Sequence, residues 1–143
     1  MRVIGVRRNP QRPDPPVEQT FSPDQPEPAL PEVDCVALVT PPTNETRGMI
    51  GSQELEVMKE SAFIINVGRV AVMDEGTLTL ALQKGQIAGA DLDTFEVDPL
   101  ANSSPLWKID HVIITCHYAG LSPRYHERAM ALFLDNLDRY ATG

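Results

Sequence analysis

The sequence predicts an α/β fold built on a parallel, doubly wound sheet. The central stretch Ala62–Asp98 alternates in the order strand, polar loop, helix, strand, polar loop. Its strands are short apolar runs, and the run Ala62–Ile65 suits a strand buried on both faces. Its helix shows a 3.6-residue apolar period. Such a unit crosses over with a right hand and leaves its strands parallel. Polar groups then meet at the carboxyl ends of the strands, where open α/β sheets bind ligands.

Five strands and about three helices are predicted along the chain. In the central helix, Asp74 can cap the first turn through its side-chain oxygen, and Gly85 can take the left-handed position that closes the last turn. Ser52 can cap a shorter helix before it, and Ser122-Pro123 opens the last helix. The predicted strands are Met1–Val6, Val33–Val39, Ala62–Ile65, Gln86–Leu92 and His111–Ile114.

Two segments are predicted to be irregular, and one helix is predicted to be amphipathic. Pro10–Pro31 holds most of the prolines and is expected to be loop, because proline fixes φ and removes a backbone donor. Ala101–Lys108 is expected to be a loop or a single turn. The last helix carries an apolar stripe of Tyr125, Ala129, Phe133, Leu137 and Tyr140.

Composition bounds the class of protein. The chain has 143 residues, enough for one domain with a core, and a net charge of -8, which argues against nucleic acid as the partner. No apolar run approaches the length of a membrane span, and no signal-peptide pattern precedes the first strand, so a cytoplasmic protein is expected. Cys35 and Cys116 lack any motif spacing and are expected to be free thiols, with Cys116 buried and inert. No metal site is predicted.

Three motifs follow the last three predicted strands. They are Asn66-Val67-Gly68-Arg69, the segment Leu92–Leu100 (LDTFEVDPL) and the segment Thr115–Gly120 (TCHYAG). In these segments the chain resembles the NAD-binding domain of the D-isomer-specific 2-hydroxyacid dehydrogenases, of the glyoxylate/hydroxypyruvate reductase kind. That family carries Asn-x-x-Arg, Leu-Asp-Val-Phe-x-x-Glu-Pro-Leu and Thr-Pro-His-x-Ala-Gly in the same order and spacing. The resemblance runs from Met1 to about Tyr140, with departures at Val70, Asp98 and Cys116, where the family usually has Gly, Glu and Pro.

One family feature is absent, because no G-x-G-x-x-G occurs in the sequence. In dinucleotide folds that loop joins the first, central strand to the first helix and holds the pyrophosphate. The resemblance therefore implies a partial Rossmann-like sheet without that strand and helix, and a single incomplete dinucleotide-binding domain (1–143) without the substrate domain. In the strand order 3-2-1-4-5-6, Met1–Val6 and Ala62–Ile65 would both lose a neighbour. The half-sheets could pair directly, a second copy could supply strands in a homo-oligomer such as a dimer, or a separate polypeptide could fill the gap.

Three residues are candidates for the reduction of a 2-oxo acid. The resemblance assigns the carboxylate anchor to Arg69, whose guanidinium can donate two hydrogen bonds and stays charged. It assigns the acid/base role to His117, oriented by Asp98. The alternatives are a surface Arg69 paired with Asp74 or Glu75, a solvated Asp98, and a His117 bonded to backbone. Because aspartate is one methylene shorter than glutamate, either the loop shifts or the pair with His117 is weakened.

The cofactor is expected to be NADP, with NAD as the second possibility. Arg7 and Arg8 follow the first strand, where an NAD enzyme offers Asp or Glu to the ribose and where arginine accommodates a 2′-phosphate. The alternative is a pair of solvated loop arginines. The resemblance further implies that Asp93 holds the nicotinamide carboxamide, Pro41 and Thr46 line the adenine side, and the backbones of Val67 and Gly120 face the nicotinamide.

Two functions remain open from the sequence. The first is a piece of an NAD(P)-dependent enzyme acting on a small 2-oxo or 2-hydroxy acid. The second is a folded, oligomeric remnant of a nucleotide-binding domain with little or no turnover. Catalysis needs cofactor and substrate held in reactive geometry, so the chain by itself is expected to be weakly active or inactive.

Overall fold

The computed structural model describes residues 1–9, 17–23, 26 and 28–142. These residues form three helices: α1 (Ser52–Val57), α2 (Glu75–Gln83) and α3 (Tyr125–Thr142). They also form six strands: β1 (Ile4–Val6), β2 (Gln19–Phe21), β3 (Cys35–Leu38), β4 (Phe63–Asn66), β5 (Gly89–Leu92) and β6 (Val112–Ile114). Single 3₁₀ turns lie at Leu30–Glu32, Val70–Val72 and Pro105–Lys108.

The strands form two separate parallel sheets. β1 pairs with β2, and the order β3-β4-β5-β6 makes the larger sheet. In the larger sheet Cys35 stands opposite Phe63, and Phe63 stands opposite Gly89. The predicted α/β class and parallel sheet are therefore confirmed.

β2 lies inside the tract predicted to be loop, so the loop prediction for Pro10–Pro31 is wrong at Gln19–Phe21. This strand falls in a short stretch without proline, and it needs hydrogen bonds on one side only. Its flanks extend the pairing, since the Glu18 N–H donates to Val3 O and the Arg7 N–H donates to Phe21 O, each at 3.0 Å. An edge strand tolerates neighbouring prolines, because its outer side needs no donor.

The strand beside the gap differs from the one predicted. β4 is flanked by β3 and β5, so the expectation that Ala62–Ile65 loses a neighbour is wrong. β3 is the edge strand instead. The reason is that β2 is not predicted from the sequence. Each later strand is therefore counted one position too early, and Ala62–Ile65 takes the place beside the missing strand that belongs to β3. Met1–Val6 does keep one open side, since β1 pairs only with β2 among the described strands.

β3 turns unpaired backbone groups toward this open side. Asp34 O accepts the Phe63 N–H at 3.0 Å, which places the even-numbered residues of β3 against β4. Parallel strands bond each neighbour through alternate residues, so the N–H and C=O groups of Cys35 and Ala37 face away from β4.

β1 faces β3 across a cavity of about 140 Å³. Because Val3 and Arg7 bond to β2, the backbone groups of Ile4 and Val6 point to the other side. Ile4 and Val6 line the cavity together with Leu38 of β3. The two sheets therefore do not pair directly, and an apolar slot separates their open edges.

One face of the larger sheet carries the core. Leu55 of α1 and Leu78 of α2 are fully buried in one cluster with Ile64 of β4. On the opposite face Phe63 is 48% exposed and Ile113 is 62% exposed. The expectation that Ala62–Ile65 is buried on both faces is therefore wrong, because α1 and α2 cover one face alone.

Helix ends follow the predicted signals in the central unit. Asp74 accepts the Thr77 N–H at 2.6 Å, and Gly85 has a φ of +67°, so both predictions are confirmed. At α1 the prediction of Ser52 as the cap is wrong. Gly51 occupies the cap, and its N–H donates to the Glu54 carboxylate at 2.8 Å.

α3 begins at Tyr125, just after the predicted Ser122-Pro123 opening, and none of its residues is buried. Phe133 is 59% exposed and Leu137 is 48% exposed, so the predicted apolar stripe has no cover within the described chain. None of the helices in the described ranges is both long and apolar enough to cross a bilayer.

Candidate functional site

The candidate site lies at the carboxyl ends of β4, β5 and β6. The turn after β4 is built around Asn66, which is fully buried. Its side-chain oxygen accepts the Gly68 N–H at 3.2 Å, and its amide donates to Arg69 O at 3.4 Å. A Cβ on Gly68 would lie 3.0 Å from Leu38 O, so glycine lets this turn press against the end of β3. These contacts define the backbone from which Arg69 projects.

Arg69 is exposed, and its guanidinium donates to Gly68 O at 2.9 Å. The carboxylates named as its alternative partners have other donors. Asp74 accepts the Thr77 N–H, and Glu75 accepts the Glu96 N–H at 2.8 Å. Burial raises the pKa of Glu75, and the charge of Glu96 adds to this, while the hydrogen bond opposes both.

His117 and Asp98 form a close pair. His117 Nδ1 lies 2.6 Å from Asp98 Oδ2, so the carboxylate can accept the ring N–H. The shorter aspartate therefore reaches the imidazole. Both side chains are accessible, at 43% and 38% exposure. Asp98 is therefore partly solvated, as in its alternative, but its carboxylate also pairs with the His117 ring, which differs from a backbone-bonded His117.

Asp93 is buried at the end of β5, with 2% exposure. Its Oδ1 accepts the Thr115 hydroxyl and the Tyr118 N–H, and its Oδ2 accepts the Ala119 N–H at 2.9 Å. Burial by itself raises the pKa of this carboxyl, but these three hydrogen bonds outweigh burial and hold its pKa below the usual aspartate value. The carboxylate expected at the nicotinamide thus also holds the turn after β6.

The residues predicted for the adenine side lie in one loop after β3. Thr46 is buried, and its hydroxyl donates to Pro41 O at 2.7 Å. Arg8, at the end of β1, is exposed and its guanidinium donates to Glu45 in this loop at 2.9 Å. Arg7 beside it is half-buried. The structure therefore brings Arg8 next to the loop that contains Pro41 and Thr46.

Two further candidates are defined by their backbones. Val67 is 38% exposed, and Gly120 has open space where a Cβ would stand. Both lie in the turns that present Arg69 and His117. The contacts of Val67, Gly120 and the other nominated residues with a ligand remain predictions.

Sequence reasoning missed two supporting residues and misjudged a third. Asn66 and Thr115 hold the two turns, and the signal available was a polar residue at the end of an apolar strand. A left-handed φ, of 55°, occurs at His117. Cys116 was predicted to be buried, but it is exposed because β6 ends at Ile114 and strand alternation does not extend to it.

Cys35 and Cys116 are both free thiols, as predicted. Within the described residues, no cluster of three or more His, Cys, Asp or Glu side chains has the arrangement of a metal site.

Comparison with known proteins gives a consistent family. Residues 1–119 match the family model described as D-isomer specific 2-hydroxyacid dehydrogenase, NAD binding domain. The chain is 44% identical over 108 residues to glyoxylate/hydroxypyruvate reductase B from an Enterobacter species. The aligned residues cover 76% of this chain and 33% of that protein. The chain spans about a third to a half of the length of the curated relatives that it matches.

Solved structures share the fold. A D-isomer specific 2-hydroxyacid dehydrogenase family protein from Aeromonas salmonicida superposes with a TM-score of 0.85 at 32% identity, over 100% of this chain and 45% of that chain. A D-isomer specific 2-hydroxyacid dehydrogenase from Xanthobacter autotrophicus, solved in complex with NADPH and MES, superposes with a TM-score of 0.82 at 30% identity. This match covers 100% of this chain and 67% of that chain. The predicted partial Rossmann-like fold is confirmed.

Proposed function

Because the chain belongs to the family of D-isomer specific 2-hydroxyacid dehydrogenases, matching its NAD-binding domain, we propose that it is the nucleotide-binding part of an NAD(P)-dependent 2-oxo acid reductase. The substrate class is a small 2-oxo or 2-hydroxy acid, of the glyoxylate/hydroxypyruvate kind. The observation that carries the proposal is the 2.6 Å His117–Asp98 pair, which stands at the edge where the β4 turn presents Arg69. A paired imidazole and an exposed guanidinium are what acid/base work on a carboxylate substrate needs.

In the proposed reaction each residue acts on a different part of the substrate. Arg69 binds the carboxylate with its planar guanidinium. A reduced nicotinamide, when bound, would supply the hydride for the carbonyl carbon. His117 donates a proton to the carbonyl oxygen, which completes the hydroxyl, and takes it back in the reverse direction. Asp98 holds Nδ1, so the proton moves through Nε2.

The cofactor proposal is NADP in preference to NAD, and the residues present fit part of such a molecule. Arg8 is exposed and already holds an anion, the Glu45 carboxylate. A 2′-phosphate offers the same kind of partner with more charge. Arg7, Pro41, Thr46, Asp93, Val67 and Gly120 complete the proposed contacts on the adenosine and nicotinamide sides. For the pyrophosphate the sequence contains no glycine-rich loop, so that part of the site is unaccounted for by these residues.

For assembly we propose a homo-oligomer, a dimer, built from one incomplete nucleotide-binding domain per chain with the substrate-binding domain outside residues 1–143. The open edges of β1 and β3 and the exposed stripe of α3 support this, because unpaired backbone and apolar surface favour a partner. We propose the cytoplasm as the location, where Cys35 and Cys116 stay thiols.

A second candidate function is a folded remnant that does not turn over substrate. Residues 1–143 contain no G-x-G-x-x-G, so within them the pyrophosphate lacks its usual cradle of backbone N–H groups, which supports this candidate for the chain by itself. The site residues would in that case be inherited and idle.

Calorimetry of NADPH and NADH binding to the purified chain, with the oligomer mass measured by light scattering in the same sample, separates the two candidates. Micromolar binding of NADPH supports the reductase. A folded oligomer that binds neither nucleotide supports the remnant and contradicts the reductase.

Turnover is tested by NADPH oxidation with glyoxylate or hydroxypyruvate, for which weak or no activity of the chain by itself is expected. Steady oxidation that disappears in Arg69→Ala, and persists in the control Arg139→Ala on α3, would contradict that expectation while supporting the role of Arg69. Arg139 is a suitable control because it pairs with Asp135 on its own helix.

A further inference from the structure

The turn that carries His117 has an uncommon backbone. His117 has a φ of 55°, the left-handed region that residues with a Cβ disfavour. Such a conformation persists where surrounding contacts hold it, and it tends to occur where geometry matters. The contacts that hold this turn therefore decide where the imidazole points.

A single carboxylate supplies those contacts from both sides of His117. Asp93 accepts from Thr115, two residues before it, and from the N–H groups of Tyr118 and Ala119, which follow it. Three donors that bracket one residue, all bound to one buried acceptor, fix the direction in which the intervening side chain leaves the backbone.

The acceptor is itself anchored to the sheet. The Asp93 N–H donates to Asn66 O at 3.0 Å, and the side chain of Asn66 holds the turn of Arg69. The positions of Arg69 and His117 are thus tied to the same two buried residues at the ends of β4 and β5. Burial opposes ionisation of Asp93, but the three hydrogen bonds and the charge of His117 lower its pKa and keep the acceptor ionised.

We propose that Asp93 is the positioning residue for His117, holding the left-handed turn so that Nδ1 meets Asp98. This role is separate from any contact with a nicotinamide. The three hydrogen bonds from Thr115, Tyr118 and Ala119 to Asp93, called the clamp below, are present in the chain without cofactor. Only the catalytic consequence of the clamp rests on the proposed function.

The test is NMR on the full chain without cofactor, in the wild type, Asp93→Asn and the control Asp91→Asn. The Asp93→Asn change keeps the size of the side chain but removes one of the two acceptor oxygens. We expect hydrogen exchange of the Tyr118 and Ala119 amides to become at least about tenfold faster in Asp93→Asn, since hydrogen bonds to a buried charged acceptor are the strong ones. We also expect the His117 Nδ1–H resonance to be lost, while the amide of buried Ile64 stays protected. Asp91→Asn should leave all of these signals as in the wild type.

Thr115→Val serves where Asp93→Asn fails to fold, because it removes one donor and keeps the volume of the side chain. A smaller acceleration at Tyr118 and Ala119 with a weakened Nδ1–H signal is then expected. Unchanged amide exchange and an intact His117 Nδ1–H signal in the variants would overturn the proposal. The proposal would also be overturned if the Nδ1–H signal were lost only in variants in which the Ile64 amide loses its protection as well. Failure of NADPH binding would contradict the proposed function but not the clamp.

Discussion

At the residue scale, Arg8 combines exposure with an existing anion partner. Its pair with Glu45 leaves the two side chains 76% and 61% exposed. Exposed pairs of this kind contribute roughly 0–1 kcal/mol, so a more highly charged phosphate can displace or share the carboxylate. The present partner is therefore no obstacle to the proposed NADP preference.

Arg8→Ala is expected to weaken NADPH binding by about tenfold and to leave NADH binding nearly unchanged, because only NADPH carries the extra phosphate. Glu45→Gln is expected to tighten NADPH binding by removing the competing carboxylate. Calorimetry with both nucleotides measures this, and Arg2→Ala, which breaks a pair with Glu32, is the control. Equal losses for NADPH and NADH in Arg8→Ala would contradict the assignment.

Glu75 makes the free energy of unfolding of the chain depend on pH. Its pKa in the folded chain is raised, chiefly by burial. A raised pKa means that ionisation of Glu75 lowers the free energy of unfolding. This loss is absent below the unfolded pKa of about 4.3, and it grows as the pH rises toward the pKa of the folded chain. Glu75→Gln is therefore expected to raise the free energy of unfolding at neutral pH and to change it little at about pH 3.

Urea unfolding at the two pH values measures this effect of Glu75→Gln. Glu56→Gln, at an exposed position of α1, is the matched control. A stabilisation of equal size at both pH values would show that the effect does not come from ionisation.

At the element scale, α2 depends on its cap. Asp74 accepts the Thr77 N–H at 2.6 Å, and this bond lowers the pKa of Asp74. Asp74→Ala is expected to reduce the free energy of unfolding by about 1 kcal/mol, and Asp74→Asn much less, since asparagine is an equally good cap. Urea unfolding checks both. A loss in Asp74→Asn as large as in Asp74→Ala would assign the effect to charge and not to the cap.

Two glycines of the central unit are expected to respond in opposite directions. A Cβ on Gly89 would lie 2.6 Å from His111 O and 2.7 Å from the Phe63 ring, so Gly89→Ala forces β5 away from its neighbours. We expect the free energy of unfolding of Gly89→Ala to fall by about 1–3 kcal/mol. A Cβ on Gly76, in α2, would lie 3.6 Å from Asp74 Oδ1, an ordinary contact. Gly76→Ala is therefore expected to raise the free energy of unfolding by about 0.5–1 kcal/mol. Thermal unfolding of both variants is the measurement, and destabilisation by both would contradict the packing described for Gly76.

At the scale of the whole molecule, the described residues leave two kinds of surface without cover from one another. The edges of β1 and β3 face each other across the apolar slot, and α3 exposes its stripe along its full length. Surfaces of this kind are costly in water and favour association. These open surfaces support the proposed dimer, which would cover them.

Light scattering is expected to give twice the mass of one chain. Phe133→Asp with Leu137→Asp should return the mass to that of a single chain if α3 lies in the interface, because each charge would be buried there. Arg128→Ala, on the opposite side of the same helix, is the control and should stay dimeric. A monomeric wild type would contradict the dimer, and a dimeric double variant would exclude α3 from its interface.

The sequence by itself determined the features that depend on local chemistry. Its apolar runs located five of the six described strands, and its Asp74 and Gly85 signals bounded α2. Its three motifs predicted the family and nominated Arg69, Asp98 and His117. Only the tertiary structure decided what depends on neighbours far along the chain. It placed β2 beside β1 and made β3 the open edge, because strand order is set by pairing and not by local propensity. It also bound Asp93 to the turn of His117, since a buried carboxylate takes whichever donors the fold brings to it.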